Sequence, residues 1–441
     1  MDKKTVHFIG IGGIGVSALA RYYLAKNWQV FGSDLANSEI TDALQSEGVK
    51  IFIGQRTGNV NSNLDLVIFT LAVKEDNPEL HEARKLNIPT ISYAEALGEL
   101  TKQYVTIAVS GSHGKSTTTA LLSLMLIKAG LDPTVIVGTR LKEFKGSNFR
   151  LGKSRYLVIE ADEWNRSFWH YHPAIAVITN VDKEHLDTYK DLSGVISGFN
   201  HYLKNIPTGA AAIINAQDKN SVQSAKGCKC QLILFNKKSV QLKWPLKIYG
   251  HFNQLNAEAA WQAVKLLGVK KNTAAEAISK FQGSWRRMEQ LSAPSLLTKG
   301  EKISGTFFSD YAHHPNEIKA TISALKEKYP KKKLLVIFQP HQIERLNNLF
   351  NDFVLAFDET DELGILPVYE VAGRERDNSI SKTAEDLYKA LLKRRNDKPT
   401  FYLKNFTEVF KLIHGQAVVF MGAGDIDKEV RKYFQSKLLK N

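Results

Sequence analysis

The chain has 441 residues, 43% hydrophobic and 24% charged, which is long enough for several domains each with its own core. The longest apolar runs, such as Leu66–Val73, are far too short to span a bilayer, and Met1–Lys4 lead straight into an expected strand, so neither a membrane span nor a signal peptide is expected. The formal net charge of +14 raises nucleic acid as a partner, but the lysines are scattered and no aromatic-interleaved basic stripe or DNA-binding motif is present; solvated faces and attraction for small polyanions account for the charge.

Residues 1–98 alternate strand and helix signals, with strands at Val6–Gly10, Gln29–Gly32 and Leu66–Thr70 and a helix over Ser17–Lys26. Such alternation predicts a parallel sheet covered by helices. Between the first strand and helix lies Gly10-Ile11-Gly12-Gly13-Ile14-Gly15, and Asp34 ends the next strand. This is the spacing of a dinucleotide fingerprint, in which glycines let the backbone approach a pyrophosphate and the acid accepts from a sugar hydroxyl. The physics serves NAD and a UDP-sugar equally, and a purely structural glycine turn is the plain alternative.

Residues 99–283 open with the β-branched run Val105–Val109, a break at Ser110–Gly114, and a helix-period pattern over Ala120–Ala129. Strand, glycine turn and Lys115-Ser116 at a helix start form a phosphate-binding loop, where backbone N–H groups, the helix dipole and the lysine meet a polyphosphate. Val109 stands where the general pattern has its first glycine, so the form is the narrower G-x-x-G-K-S of Gly111, Gly114, Lys115 and Ser116. A tight turn with a surface lysine is the bland alternative.

Further core strands are expected at Tyr156–Ala161, Ala174–Thr179 and Ala211–Asn215. The first delivers Glu160, Asp162 and Glu163 at its C-terminal end, where carboxylates beside a phosphate loop suit magnesium. The second leads into Asn180-Val181-Asp182-Lys183-Glu184-His185, where His185 is either a second metal ligand or an ordinary loop histidine. Gly250–Ala257 opens a helix, and Asn253 is either an adenine contact or a helix cap. Cys228 and Cys230, one residue apart, are poorly spaced for a disulfide and read as incidental thiols of a cytoplasmic protein.

Residues 284–441 form a further α/β block, with strands at Thr306–Tyr311, Lys333–Phe338, Leu363–Leu366 and Ala417–Met421. Arg286 and Arg287 offer a pair of guanidinium groups for phosphate. Asp310–Pro315 and Phe338–Arg345 each follow a strand and precede a helix.

Together these motifs resemble the Mur ligase family, the ATP-dependent amide-bond ligases of peptidoglycan synthesis. The likeness runs along essentially the whole chain: G-I-G-G-I-G at 10–15, G-S-H-G-K-S-T-T at 111–118, E-A-D-E at 160–163, T-N-V-D-K-E-H-L-D at 179–187, G-H-F-N-Q-L-N-A at 250–257, R-R-M-E at 286–289, D-Y-A-H-H-P at 310–315, F-Q-P-H at 338–341 and M-G-A-G-D-I at 421–426. The resemblance implies three domains: a Rossmann-like 1–98, a central P-loop domain 99–283 with a parallel sheet, and a Rossmann-like C-terminal α/β domain 284–441. By the same resemblance, UDP-N-acetylmuramate would sit on Gly10, Gly12, Gly13, Gly15, Asp34 and Thr70. ATP would sit on Gly111, Ser112, His113, Gly114, Lys115, Ser116, Thr117, Asn253 and Arg287, and Mg2+ on Ser116, Glu160 and His185.

The resemblance assigns chemistry to Lys115, Glu160, His185, Asp310 and His314, and binding of the incoming amino acid to Tyr311, His341, Gln342 and Arg345. L-alanine is the expected acceptor, a tripeptide the alternative, in a cytoplasmic monomer or weak homodimer. Two residues depart from the family pattern: Gln342 stands where this branch carries arginine, and Asn165 where an aspartate is usual. Two readings from other classes remain, an NAD-binding Rossmann protein without ligase chemistry and a P-loop NTPase acting on nucleic acid.

Overall fold

Short β-branched runs bounded by glycine and polar turns, alternating with helical patterns, build three parallel-sheet layers. The structure, a computed structural model, describes residues 3–236, 243–292, 296–298, 301–303, 305–370 and 382–438. It divides into two compact units, Met1–Pro245 with Gln254–Phe281, and Leu246–Asn253 with Gln282–Asn441.

The first unit holds two sheets. One is all parallel in the order β3-β2-β1-β4-β5, from β1 (Thr5–Ile9), β2 (Gln29–Asp34), β3 (Lys50–Ile53), β4 (Leu66–Phe69) and β5 (Thr90–Ser92). Strand order reverses between β1 and β4, which opens a crevice at the strands' C-terminal ends. The glycine turn after β1 faces that crevice and leads into the helix Ile14–Ala25.

The second sheet runs β12-β11-β10-β6-β9-β7-β8, from β6 (Val105–Ser110), β7 (Thr134–Leu141), β8 (Ser147–Arg150), β9 (Tyr156–Glu160), β10 (Ile175–Ile178), β11 (Ala211–Asn215) and β12 (Gln231–Phe235). Only the β7–β8 edge is antiparallel. Helices on both faces bury β6, β9, β10 and β11 as near-continuous apolar runs, the pattern of a parallel sheet covered twice. One apolar cluster joins the two layers, running from Val6 and Leu19 through Leu157 and Phe199. Asn148 adds a polar tie, its Nδ2 donating to the Ile14 carbonyl at 2.5 Å.

The second unit carries a sheet in the order β13-β16-β20-β17-β18-β19, from β13 (Glu289–Leu291), β16 (Thr306–Asp310), β17 (Leu334–Phe338), β18 (Glu362–Ile365), β19 (Thr400–Tyr402) and β20 (Ala417–Met421), with the hairpin of β14 (Leu296–Thr298) and β15 (Glu301–Ile303). β13 pairs antiparallel and the rest parallel. Apolar clusters fill both faces, around Phe338 and Phe357 on one and Phe307 and Phe420 on the other.

Cys228 and Cys230 correct the expectation of incidental thiols. The turn entering β12 sets their Cα atoms 5.4 Å apart and joins them as a disulfide, a separation that such a bond tolerates despite the single intervening residue. Among the described residues, no helix is long and apolar enough to cross a membrane.

Candidate active site

The C-terminal ends of β6, β9 and β10 meet, and three elements of the site leave from them. β6 ends at Ser110, the loop Gly111–Gly114 follows, and the helix Lys115–Lys128 begins. Gly114 caps that helix in the left-handed region, φ 83°, and a Cβ there would lie 2.5 Å from Asn256 Oδ1, so only glycine fits. The end of β10 holds the loop in shape: Asn180 Oδ1 accepts from His113 N at 2.9 Å, and Asn180 Nδ2 donates to the His113 carbonyl at 2.9 Å.

Lys115 Nζ lies 2.7 Å from the Gly111 carbonyl and 2.8 Å from Glu163 Oε2, a carboxylate with no solvent exposure. Burial works against the ammonium, but the charges of Glu163, Asp162 and Glu160 outweigh it and hold Lys115 above the ordinary lysine range. Burial pushes the Glu163 carboxyl upward. Ser116 Oγ donates to Glu160 Oε1 at 3.0 Å, and Gly138 N donates to Glu160 Oε2 at 2.8 Å.

His185 Nε2 sits 3.7 Å from Glu163 Oε1 and 3.9 Å from Asp162 Oδ1, and these three residues offer ligand atoms all within 4.8 Å of one another. Of the three expected metal ligands, Ser116 and Glu160 are therefore paired with each other, and His185 groups with Asp162 and Glu163. Two loops carry these groups, and three hydrogen bonds latch them. Trp164 Nε1 donates to Asp187 Oδ2 at 3.3 Å, Asn165 N to Thr188 Oγ1 at 3.3 Å, and the Tyr189 hydroxyl to the Glu163 carbonyl at 2.7 Å.

In the first sheet the glycine turn is held from below by Asp34, whose Oδ2 accepts from Gly12 N at 2.8 Å. Its other oxygen accepts from Leu35 N at 2.8 Å. Thr70 follows β4 and abuts Gly10, where no Cβ would fit.

The second unit gathers its expected residues at the ends of β16 and β17. Asp310 is buried and accepts from Met288 N at 2.6 Å and Ala312 N at 2.8 Å. Tyr311 lies under two guanidinium groups, Arg286 at 4.7 Å and Arg287 at 5.0 Å from its ring centre. His314 caps the helix Pro315–Lys328, its Nδ1 accepting from Asn316 N at 3.2 Å. After β17, His341 stacks on Tyr369 with centroids 5.7 Å apart, and Arg345 Nη1 approaches His341 Nδ1 at 3.5 Å. Gln342 adopts φ 68°, a left-handed conformation at a helix start, and its N–H bonds the Tyr369 carbonyl at 3.1 Å.

The expected arginine pair separates. Arg286 is buried and its Nη2 donates to the Gly422 and Gly424 carbonyls at 2.5 and 3.0 Å, which ties the strand ends together. Arg287 is partly exposed and stands 3.8 Å from Glu317. Asn253 is buried and its Nδ2 donates to the Tyr249 carbonyl at 2.6 Å.

Burial pushes the Asp310 carboxyl from 3.8 up to about 6, against the opposing pull of Arg287 and two backbone donors. A carboxyl that holds its proton more tightly when folded stabilises the fold below pH 4, and that contribution is lost as pH rises through about 6. The shift corresponds to about 3 kcal/mol. Denaturant unfolding of the wild type and Asp310→Asn between pH 4 and 7 is expected to show the wild type losing stability over this window relative to the variant; parallel curves would place the Asp310 carboxyl near its ordinary value.

Three family models match the chain in order: "Mur ligase family, catalytic domain" over residues 5–105, "Mur ligase middle domain" over 109–260, and "Mur ligase, glutamate ligase domain" over 286–424. The chain belongs to the Mur ligase family. A protein of Aquifex aeolicus named UDP-N-acetylmuramate–L-alanine ligase is 37% identical, covering 98% of this chain and 97% of its own. One of the same name from Clostridium tetani is 38% identical over 96% of both chains. Among solved structures, the UDP-N-acetylmuramate-alanine ligase of Thermotoga maritima matches with a TM-score of 0.81 at 27% identity, covering 99% of this chain and all of that one. A murein peptide ligase of Psychrobacter arcticus shares the fold, with a TM-score of 0.73 at 22% identity and coverage of 99% and 98%.

Within this Mur ligase site, two residues left no signal in the sequence: Asn256 touches the phosphate loop from a distant helix, and Tyr189 latches the two acidic loops. Glu163, expected among the carboxylates beside the loop, pairs with Lys115. Position 165 has a local reason for its residue: φ is 49° there, and asparagine is among the residues that enter the left-handed region most readily.

Proposed function

We propose that this chain joins L-alanine to UDP-N-acetylmuramate in the cytoplasm, using ATP and forming an acyl phosphate, with ADP and phosphate as the other products. The observation that carries the reading is the phosphate loop with Lys115 and Ser116 at its helix start, beside Glu160 and in the same compact unit as the Gly10–Gly15 turn. The names of the full-length relatives support the choice of sugar nucleotide and amino acid.

A carboxylate does not condense with an amine in neutral water because its oxygen is a poor leaving group. One oxygen of the muramate carboxylate attacks the γ-phosphorus of ATP and ADP leaves. The amine then attacks the acyl carbon, and the tetrahedral adduct collapses with loss of phosphate. The first step calls for in-line positioning and cations around the transferring group. Lys115 supplies a fixed charge there, and the loop N–H groups and helix start hold the phosphates. Asp34 orders the glycine turn that receives the uridine diphosphate.

The donor set fits a hard divalent cation: Ser116 Oγ and Glu160 lie 3.0 Å apart, and Asp162, Glu163 and His185 converge within 4.8 Å. Magnesium held by Ser116, Glu160 and His185 would neutralise phosphate charge when bound. Asp310 and His314 would face the nucleotide, and Tyr311, His341, Gln342 and Arg345 would place the amino acid.

A phosphate-release assay with ATP, magnesium, UDP-N-acetylmuramate and a panel of amine acceptors tests the reading. Release that requires both the sugar nucleotide and an amino acid is expected. Calorimetry on the same protein is expected to show uridine-nucleotide binding and none for NAD. Tight NAD binding without phosphate release would instead favour a Rossmann protein without ligase chemistry.

A further inference from the structure

Four strand ends converge on the crevice of the first sheet. The glycine turn leaves β1, Asp34 ends β2, Thr70 follows β4, and Tyr93 follows β5. Three of the turn's four glycines make room for one of these side chains: Gly10 for Thr70, Gly12 for Asp34 and Gly15 for Tyr93. A Cβ on Gly15 would lie 2.8 Å from the Tyr93 hydroxyl and 3.0 Å from its Cζ, so the phenol occupies the mouth of the turn itself.

The ring is fixed from its backbone outward. Tyr93 is the first residue of the helix Tyr93–Thr101, and the helix start is locked by a capping box in which Glu95 Oε2 accepts from Ser92 N at 2.8 Å and Ser92 Oγ at 2.7 Å. The hydroxyl of this well-held ring has no hydrogen-bond partner among the described residues, although the ring is partly buried. A phenol placed with such care and left without an internal partner has its hydrogen bond to give elsewhere.

Two features say to what. The hydroxyl borders the turn that approaches a pyrophosphate, and the charges of Glu160 and Asp162, from the other sheet of the same unit, act on it after burial; all three raise its pKa and keep it an O–H donor. It therefore borders the uridine-diphosphate cradle, within reach of the charge at Glu160. A sugar nucleotide whose carboxylate is phosphorylated would run from that cradle toward the Ser116–Glu160 centre.

We propose that Tyr93 is a further substrate-positioning residue, its hydroxyl donating to an acceptor oxygen of the sugar nucleotide between the pyrophosphate and the reacting carboxylate. This rests on the ligase reading above. In that role the phenol helps fix how far the carboxylate reaches toward Lys115.

Tyr93→Phe keeps the ring against Gly15 and removes only the donor. Relative to wild type, KM for UDP-N-acetylmuramate is expected to rise about tenfold, the loss of one hydrogen bond to a charged or strongly polar acceptor. KM for ATP is expected to stay within about twofold and the unfolding midpoint unchanged. Gly15→Ala, which drives a methyl group into the hydroxyl, is expected to raise the same KM. Calorimetry with UDP-N-acetylmuramate alone should show the same loss for Tyr93→Phe.

An unchanged sugar-nucleotide KM in Tyr93→Phe would overturn the proposal. So would parallel rises in both KM values with a lowered midpoint, since that marks a packing role. Wild-type protein that neither binds UDP-N-acetylmuramate nor releases phosphate would instead sink the ligase reading and the proposal with it.

Discussion

Lys115→Ala is expected to lower kcat by about a hundredfold or more in the phosphate-release assay, the scale seen when a preorganised charge at a developing anion is removed. The lysine sits at the helix start with its Nζ 2.7 Å from the Gly111 carbonyl and 2.8 Å from Glu163, so its charge is placed before any phosphate arrives. The substitution also leaves Glu163 buried without its cation. Removing one partner of a buried pair can cost several kcal/mol when the other stays charged. Glu163 has a way out, because burial already pushes its carboxyl upward and it can take a proton instead. The variant is therefore expected to fold, with its stability relative to wild type falling as pH rises. A second variant, Lys115→Ala with Glu163→Gln, removes the stranded charge; it should recover stability while kcat stays low. Near-normal kcat in either variant would take Lys115 out of the chemistry.

How much of this was legible in the sequence follows from what each feature depends on. The phosphate loop and Glu160 were readable because a buried strand, a glycine turn and a helix start are contiguous, and each leaves a local signature. The central strands β6, β9, β10, β16, β17 and β20 were readable as apolar runs because both their faces are covered. β3, β5, β12 and β19 were not anticipated: they are three to five residues long at sheet edges or beside them, with residues such as Lys50, Gln231 and Phe401 exposed. Too little of each is buried to mark it.

The site partners that escaped are those made in space. Asn256 meets Gly114 across more than a hundred residues, and Tyr93 meets Gly15 across most of the first sheet. No spacing rule connects such pairs. The arginine pair failed for a similar reason. Two adjacent guanidinium groups suggest shared work, but φ 55° at Arg286 turns its side chain inward to the Gly422 and Gly424 carbonyls while Arg287 stays partly exposed. The disulfide escaped because the rule of spacing gives way to a turn that brings neighbouring Cα atoms to bonding range.

Arg345→Ala is expected to raise KM for L-alanine about tenfold to a hundredfold, the worth of a charge-assisted hydrogen bond to a carboxylate, with KM for ATP nearly unchanged. Arg345 is half-buried on the helix that follows β17, and its guanidinium is held 3.5 Å from His341, which in turn stacks on Tyr369. Under the ligase reading proposed above, that cation would receive the carboxylate of the incoming amino acid. Gln342, the neighbouring position, can donate an amide hydrogen bond but no bidentate ionic pair. Its backbone already carries the cost of φ 68°, so Gln342→Arg adds a second guanidinium without adding new backbone strain. This variant is expected to lower KM for L-alanine and leave KM for ATP in place. The acceptor itself is decided by comparing L-alanine with L-alanyl-γ-D-glutamyl-diaminopimelate by kcat/KM on the wild type. A clear preference for the tripeptide would move the chain to the peptide-transferring branch of the family, and the acyl-phosphate mechanism would stand. A preference for L-alanine that disappears in Arg345→Ala would fix both the acceptor and the residue that selects it.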